Sequence, residues 1–171
     1  MRPPICTIDA SCVIALDHLD LLPQLSFLFS RVLVPKAVRT ELFRRRATKG
    51  RLRAILASYS FIERCDDYDK GTVDILLIER AAQGVEDRGE AEAVVQAAAV
   101  GAVVIVDDPW GRALAERFGR DLHGTFWILV RACQRVPRPN WRAAPFRCRW
   151  GRIHALKIVA AEAHRAVSSV Q

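Results

Sequence analysis

The sequence predicts an α/β fold, a three-layer α/β/α sandwich built around a short, mostly parallel central sheet. Two observations lead to this prediction. Short runs of β-branched and aliphatic residues alternate along the chain with segments of helical periodicity, which is the pattern of successive strand–helix–strand units. The chain of 171 residues is 51% hydrophobic and 26% charged, so it can both fill an apolar core and cover it with a polar surface.

The first half of the chain contains three predicted strands. Pro4–Asp9 is predicted as a strand that ends on an acid, and a helix follows from Ser11, which suits the N-cap or the first turn. We expect Leu19–Phe29 to continue as helix. The next predicted elements are the strand Arg31–Val34, a helix that starts at Pro35 and carries Val38, Glu41 and Leu42, and the strand Phe61–Arg64. The far end of that helix is a basic cluster formed by Arg44, Arg45, Arg46, Lys49, Arg51 and Arg53.

The second half alternates in the same way. The clearest strand is Ala102–Val106, five apolar residues between Gly101 and the acidic pair Asp107-Asp108. The other predicted elements are the helices Val73–Gln83, Glu90–Val100 and Trp110–Phe118, the edge strand Asp121–His123, and a helix from Gly124-Thr125 through Arg135.

Charge is distributed unevenly along the chain. Residues 1–130 contain 17 basic and 18 acidic side chains, whereas residues 131–171 contain nine basic side chains and one acid, Glu162. After Val136, prolines and aromatic residues flanked by arginines replace the alternating pattern. We therefore predict a domain over residues 1–136 and a basic, partly disordered C-terminal appendage over residues 137–171. Basic patches beside an acidic pocket favour a polyanionic substrate.

Composition also bears on the compartment. The N-terminal segment lacks a basic region followed by a continuous apolar core, and the longest apolar stretch, Ala93–Val106, is too short and too broken to span a bilayer. Five cysteines form no CxxC pair, which argues against a disulfide framework and against a zinc knuckle. We expect a soluble, cytoplasmic protein with no membrane partner.

Acidic residues follow the predicted strands at the end where parallel sheets bind ligands. Asp9 and the pair Asp107-Asp108 each terminate a strand. Glu41 lies on the helix after the second strand, and Glu90 begins a later helix. Several carboxylates at one edge repel each other unless a cation lies between them. Because all these ligands are oxygens, the pattern favours Mg²⁺ or Mn²⁺ over zinc.

Several segments, taken together and in this order, resemble the motifs of PIN domains, the fold of the VapC toxins. They are Thr7–Leu16 (a D-x-S strand-to-helix motif), Val34–Leu42 (a V-P strand exit and a helix with the second acid), Asp87–Ala93 (a G-E-A-E-A segment) and Val104–Asp108 (a strand followed by an acid). Gly111-Arg112 and Gly124-Thr125 resemble a small PIN subgroup with an I-D-D-x-x-G-R signature followed by G-T. The resemblance covers about residues 9–135.

The resemblance implies a metal site formed by Asp9, Glu41, Glu90 and Asp108. Asp9 and Asp108 match direct metal ligands, and Glu41 and Glu90 bind directly or through water. Ser11 is expected to orient Asp9, and Thr125 is expected to lie next to the acids and support them.

Alternatives exist at two of these positions. The family's T-x-D pattern selects Asp108, but Val106 stands in the place of the threonine, so Asp107 is an alternative ligand. Asp87 and Glu92 are alternatives to Glu90, although Glu92 should point to another face of its helix.

The implied activity is metal-dependent hydrolysis of single-stranded RNA, which leaves a 5′-phosphate and a 3′-hydroxyl. A carboxylate-bound Mg²⁺ or Mn²⁺ neutralises the scissile phosphate and activates water. The predicted RNA-binding residues are Arg44, Arg45, Arg46 and Arg112. The resemblance also implies a homodimer and an antitoxin protein as partner, if the chain is the toxin of a toxin–antitoxin pair.

Two other classes of function compete with this hypothesis. A non-catalytic PIN fold could bind nucleic acid or a protein, and Val106 and the unusual C-terminal region favour that alternative. An acidic crevice also occurs in receiver domains and haloacid-type phosphatases. The lysine that follows the last strand of receivers and the DxDx[TV] motif of those phosphatases are not in place here.

Overall fold

The computed structural model describes residues 3–44, 46–81 and 87–135, and the predicted appendage over residues 137–171 lies outside them. Within the described residues one five-stranded sheet has the order β3-β2-β1-β4-β5, and every neighbouring pair of strands is parallel. The strands are β1 (Ile5–Ile8), β2 (Arg31–Val34), β3 (Ile62–Arg64), β4 (Val103–Ile105) and β5 (Leu122–His123). The predicted α/β class and its parallel sheet are confirmed.

Helices cover both faces of this sheet. They are α1 (Ala10–His18), α2 (Leu25–Leu28), α3 (Lys36–Leu42), α4 (Arg46–Ser58), α5 (Lys70–Ala81), α6 (Arg88–Val100), α7 (Pro109–Arg117) and α8 (Thr125–Arg135). Alternate strand residues point to opposite faces. Ile8 and Ile105 therefore join the core under α1 to α4 and α8, whereas Val104 and Val106 join the core under α5, α6 and α7.

The predicted continuous helix over Leu19–Phe29 is wrong. Helix α1 stops because Asp20 adopts a left-handed conformation with φ of 54°. The Leu21 N–H then donates to Leu16 O at 2.8 Å and the Asp20 N–H to Asp17 O at 3.1 Å. These two bonds form the capping pattern that usually has glycine at the left-handed position. A 3-10 turn and α2 follow. Their leucines continue the helical spacing of apolar residues because they also pack into the core.

Four residues of the basic cluster lie on a different helix from the predicted one, namely Arg46, Lys49, Arg51 and Arg53. Helix α3 ends at Leu42, where Phe43 caps it, and a separate helix, α4, begins at Arg46. The break lets Leu52 and Leu56 of α4 reach the core under β2.

Glu92 holds the start of α3 in place. Pro35 is the N-cap of α3 and offers no side-chain acceptor. Instead, Glu92 of α6, which is 2% exposed, accepts a hydrogen bond from the Ala37 N–H at 2.7 Å and another from Arg88 Nε at 2.9 Å. Glu92 therefore acts as a cap supplied by a neighbouring helix, and it fixes how α3 and α6 meet.

Replacing Glu92 by Ala is expected to destabilise the protein by about 1–3 kcal/mol, because the part-buried Ala37 N–H would lose its acceptor. The midpoint of urea unfolding measures this effect. The matched control is Glu116→Ala on α7, an exposed position where the effect should stay within about 0.5 kcal/mol. Equal midpoints for the two variants would contradict the capping role.

No single helix in the described ranges is long and apolar enough to cross a membrane. Helix α1 and the segment Leu22–Leu28 pass that test only as a pair, and the two are bent by 114° at their break.

Candidate active site

The candidate site lies where the strand order reverses. The chain passes from β1 to β2 and β3 on one side and then returns to the other side of β1 for β4 and β5. In open parallel sheets, ligands bind at the carboxyl ends of the strands that flank such a reversal. Asp9 follows β1 at this position, with its N–H donating to Ile105 O at 3.0 Å, and Asp107 and Asp108 follow β4.

Asp9 is held by one of its carboxylate oxygens and leaves the other without a partner. It is the N-cap of α1, where Oδ2 accepts hydrogen bonds from Ser11 N at 2.9 Å and from Ser11 Oγ at 2.5 Å. Oδ1 is buried and has no hydrogen-bond partner among the described residues. A buried anionic oxygen without a donor is unfavourable unless a cation or a proton compensates it.

Glu41 and Asp9 border the same small space beside Gly89. A Cβ atom on Gly89 would lie 3.4 Å from Glu41 Oε2 and 3.7 Å from Asp9 Oδ1. Gly89 is in the first turn of α6, which packs against α3, the helix that carries Glu41. The absence of a side chain at Gly89 therefore keeps open the space that both carboxylates border.

Glu90 is the third acid at this place. Burial raises its pKa to about 7, and the negative charge of Asp9 is the next cause, with smaller contributions from Asp87 and Glu41. The charges of Asp9 and Glu41 both act on the Glu90 carboxyl group, so these three acids lie close together. A positive charge among them would relieve the repulsion.

This raised pKa predicts how stability depends on pH in the metal-free protein. Folding disfavours the ionised form of Glu90. The stability that Glu90 contributes is therefore fully present below the pKa that its side chain has in the unfolded chain, and it is lost as the pH rises through about 7. Between about pH 5 and about pH 8, wild type should lose about 1–2 kcal/mol relative to Glu90→Gln, allowing for solvent screening. The test is the unfolding midpoint of each protein in EDTA at both pH values. An equal change in midpoint for wild type and Glu90→Gln between the two pH values would contradict the prediction.

Asp107 and Asp108 each cap a helix with one carboxylate oxygen. Asp108 Oδ1 accepts hydrogen bonds from Trp110 N at 2.8 Å and Gly111 N at 3.2 Å, at the start of α7. Asp107 Oδ1 accepts a hydrogen bond from Thr125 N at 2.8 Å, at the start of α8. Among the described residues, neither Asp107 Oδ2 nor Asp108 Oδ2 forms a hydrogen bond. Both carboxylates therefore retain an oxygen for another ligand.

Cys12 shows that Asp107 lies on the same side of the sheet as Asp9. Burial raises the pKa of the Cys12 thiol to about 12, and the charges of Asp107 and Asp9 both add to that rise. Asp107 thus lies near the start of α1, at the edge where Asp9 begins that helix. The geometry keeps Asp107 as well as Asp108 as a candidate for the fourth acid.

Two glycines are required by close packing around these acids. A Cβ on Gly111 would lie 2.5 Å from Val106 Cγ2 and 3.2 Å from Glu90 Cγ, and a Cβ on Gly124 would lie 2.5 Å from Asp107 Oδ1. Along the sequence, only the family resemblance singles out both glycines, because these contacts join segments that are distant along the chain. Their role is to let α7 and α8 begin against the acids.

Positively charged side chains border the acidic edge, which is the carboxyl end of the sheet where Asp9, Asp107 and Asp108 follow β1 and β4. The Arg112 guanidinium donates from Nη1 to Val106 O at 3.3 Å, and the same nitrogen would lie 3.7 Å from a Cβ on Gly124, beside Asp107. Arg44 is exposed and follows α3 three residues after Glu41. Arg45 and the side chain of Arg46 lie outside what the structure describes.

The donor set fits a hard divalent cation, although the side chains do not enclose one as they stand. Among the described residues, no group of three His, Cys, Asp or Glu side chains forms a ready metal-binding cluster. Asp9 nevertheless presents a buried oxygen without a partner, Glu41 borders the same space, and Glu90 has a raised pKa. An all-oxygen set of this charge suits Mg²⁺ or Mn²⁺.

Comparisons with known proteins agree with this architecture. A family model described as PIN domain matches residues 5–140. The crystal structure of PAE2754 from Pyrobaculum aerophilum is similar in fold, with a TM-score of 0.51 and 19% identity, over 78% of this chain and 99% of that chain. No match was found among curated proteins.

Proposed function

The chain belongs to the PIN-domain family, and from that premise we propose that it is a Mg²⁺- or Mn²⁺-dependent endoribonuclease that hydrolyses single-stranded RNA. PIN domains are generally nucleases. The observation that carries the proposal is the buried Asp9 Oδ1, which lacks a hydrogen-bond partner among the described residues and lies beside Glu41 at the carboxyl edge of the sheet.

The described side chains suggest a division of roles. Asp9 and Asp108 are the proposed direct ligands, and Glu41 and Glu90 bind directly or through water. When bound, the cation supplies the counter-charge for the scissile phosphate and lowers the pKa of a coordinated water. Ser11 orients Asp9 through its two hydrogen bonds. Arg112 and Arg44 attract the phosphates that approach this edge.

The resemblance to the toxin subgroup extends the proposal to partners. We propose a homodimer and an antitoxin protein that covers the acidic edge. Light scattering across micromolar concentrations tests the first of these, and a monomer at every concentration would contradict it. Co-expression with the product of the adjacent reading frame tests the second.

The direct test of the function is an RNA cleavage assay with the purified chain. Single-stranded RNA should be cut in Mg²⁺ or Mn²⁺, cutting should stop in EDTA, and added metal should restore it. The products should carry 5′-phosphate and 3′-hydroxyl ends. Cleavage that persists after thorough chelation and dialysis would overturn the metal-dependent mechanism.

A non-catalytic PIN-fold binding module is the second candidate. One observation favours it: Val106 occupies the place of the motif threonine and packs against Gly111, so no hydroxyl is available there to support Asp108. This candidate predicts RNA binding without cleavage in either metal. The same assay, read for bound and cut RNA, separates the two candidates.

A further inference from the structure

A cavity of about 280 Å³ lies between α3, α4 and β3, away from the acidic site. Its lining includes the apolar side chains of Val34, Phe43, Leu56 and Ile62. Ligand pockets in proteins begin at about 300 Å³, and this cavity lies just below that size, so it holds at most one small group with an apolar part.

The cavity and the candidate active site lie at the same edge of the sheet. Val34, which lines the cavity, is the last residue of β2 and pairs in register with Arg64 at the end of β3. The neighbouring strand β1 ends at Ile8, directly before Asp9. Two strand spacings separate β3 from β1, which is roughly 10 Å. A strand of nucleic acid bound across the carboxyl edge would therefore meet both places.

Four charged side chains line the cavity, and two of them are compensated by partners outside it. Arg39 forms an ion pair with Asp66 at 2.8 Å, and Glu63 forms one with Arg31 at 2.5 Å. The other two are Arg53 and Arg64.

Arg53 and Arg64 give the cavity an uncompensated positive charge. The Arg53 guanidinium lies over the Phe43 ring, 5.0 Å from its centroid. Neither Arg53 nor Arg64 has an ion pair or a side-chain hydrogen bond within the described ranges. Both side chains are exposed, so an anion can approach them from solvent.

We propose that this cavity is a nucleotide subsite of the RNA strand, distinct from the site of cleavage. The base of a nucleotide near the cut lies on the apolar floor formed by Val34, Leu56 and Ile62, and its phosphate is bound by Arg53 and Arg64. This combination of apolar surface, aromatic ring and paired arginines is how proteins hold single-stranded nucleic acid. The subsite serves the substrate of the proposed function and in that sense rests on it.

Binding measured without cleavage tests the subsite separately from the nuclease activity. The full chain carrying Asp9→Asn is titrated in EDTA with a fluorescent single-stranded RNA. Adding Arg53→Ala and Arg64→Ala should weaken RNA binding at least about tenfold. The slope of log affinity against log salt should become shallower by about 0.7 for each phosphate that the variant no longer neutralises.

The control for charge is the pair Arg117→Ala and Arg120→Ala. These residues lie at the end of α7 and before β5, at the opposite edge of the sheet, and removing them lowers the net charge equally. Their replacement should change RNA affinity much less. Equal weakening by the two pairs would overturn the subsite, because it would show a general effect of charge.

A second pair of variants tests the apolar floor without changing charge. Ala57 of α4 lines the cavity and is exposed, so Ala57→Trp fills the space, whereas Ala54→Trp places the same side chain on the same helix outside the lining. Ala57→Trp should weaken RNA binding at least about fivefold, the low end of what one base contact contributes, because the base can no longer enter the cavity, and Ala54→Trp should not. Unchanged binding by Ala57→Trp would overturn the proposal.

The two proposals fail in different ways. If wild type cuts no RNA, but the cavity variants bind RNA more weakly than their controls, the nuclease function is rejected and the subsite is kept. If wild type cuts RNA, but all four sets of variants bind RNA equally well, the subsite is rejected and the nuclease function is kept. A free mononucleotide that fills the cavity without competing with RNA would overturn the assignment to the RNA strand.

Discussion

Asp9→Asn is expected to lower RNA cleavage by more than about 100-fold, since even groups that only orient a metal ligand contribute about 10- to 100-fold. The fold should survive. Asparagine can still accept the hydrogen bonds from Ser11 that now reach Asp9 Oδ2, and it caps helices as well as aspartate does. In the metal-free protein, stability should stay equal or rise, because one of the charges that raises the pKa of Glu90 is removed.

Asp17→Asn is the matched control for that variant. Asp17 is also buried on α1, at the opposite end of the helix, and it pairs with Arg51 rather than with the acidic site. Its replacement should lower thermal stability but leave cleavage per folded molecule unchanged. Full activity of Asp9→Asn, or an equal reduction in both variants, would remove Asp9 from the site.

Asp108→Asn is expected to collapse turnover while leaving RNA binding largely intact, and Asp107→Asn should be mild. The comparison is well matched because each acid caps a helix through one oxygen, and asparagine keeps an acceptor at that position. A difference between the two variants therefore reports on metal binding rather than on folding. The measurement is kcat at saturating RNA together with the Kd for RNA.

The opposite result would move the fourth ligand by one residue. Asp107→Asn inactive and Asp108→Asn near normal would agree with the position of Asp107 near Cys12, on the side of Asp9. If neither change affects turnover, the non-catalytic binding module becomes the better account.

The sequence predicted the positions of strands because their signals are local. The apolar run before Asp9 and the run before Asp107 both form central strands, and the strand predicted over Arg31–Val34 has the same bounds in the structure. Since parallel strands place their carboxyl ends at one edge, the meeting of these acids follows from strand prediction and sheet direction together.

The break after α1 could not be read from the pattern. Leucines continue at helical spacing through Leu25, and they do so because both segments pack on the same core. The stop depends on Asp20 in a left-handed conformation, a position where the usual signal is glycine. Apolar periodicity records which residues are buried but does not record where the backbone turns.

The supporting residues of the site also depend on tertiary contacts. The sequence predicts that Glu92 points to another face of its helix than Glu90, but it does not show that this face meets α3, whose Ala37 N–H Glu92 caps. Gly111 and Gly124 are likewise explained only by side chains from other elements, Val106 and Asp107. No spacing rule along the chain could have supplied these three assignments.

Titration of the metal-free chain with Mn²⁺ by calorimetry tests the central claim, that the acids at the carboxyl edge hold a divalent cation through Asp9. Wild type should bind Mn²⁺ saturably, Asp17→Asn should bind it equally well, and Asp9→Asn should lose more than about 100-fold in affinity while remaining folded. Equal Mn²⁺ affinity in wild type and Asp9→Asn, or RNA cleavage by a wild-type chain that binds no Mn²⁺, would contradict it.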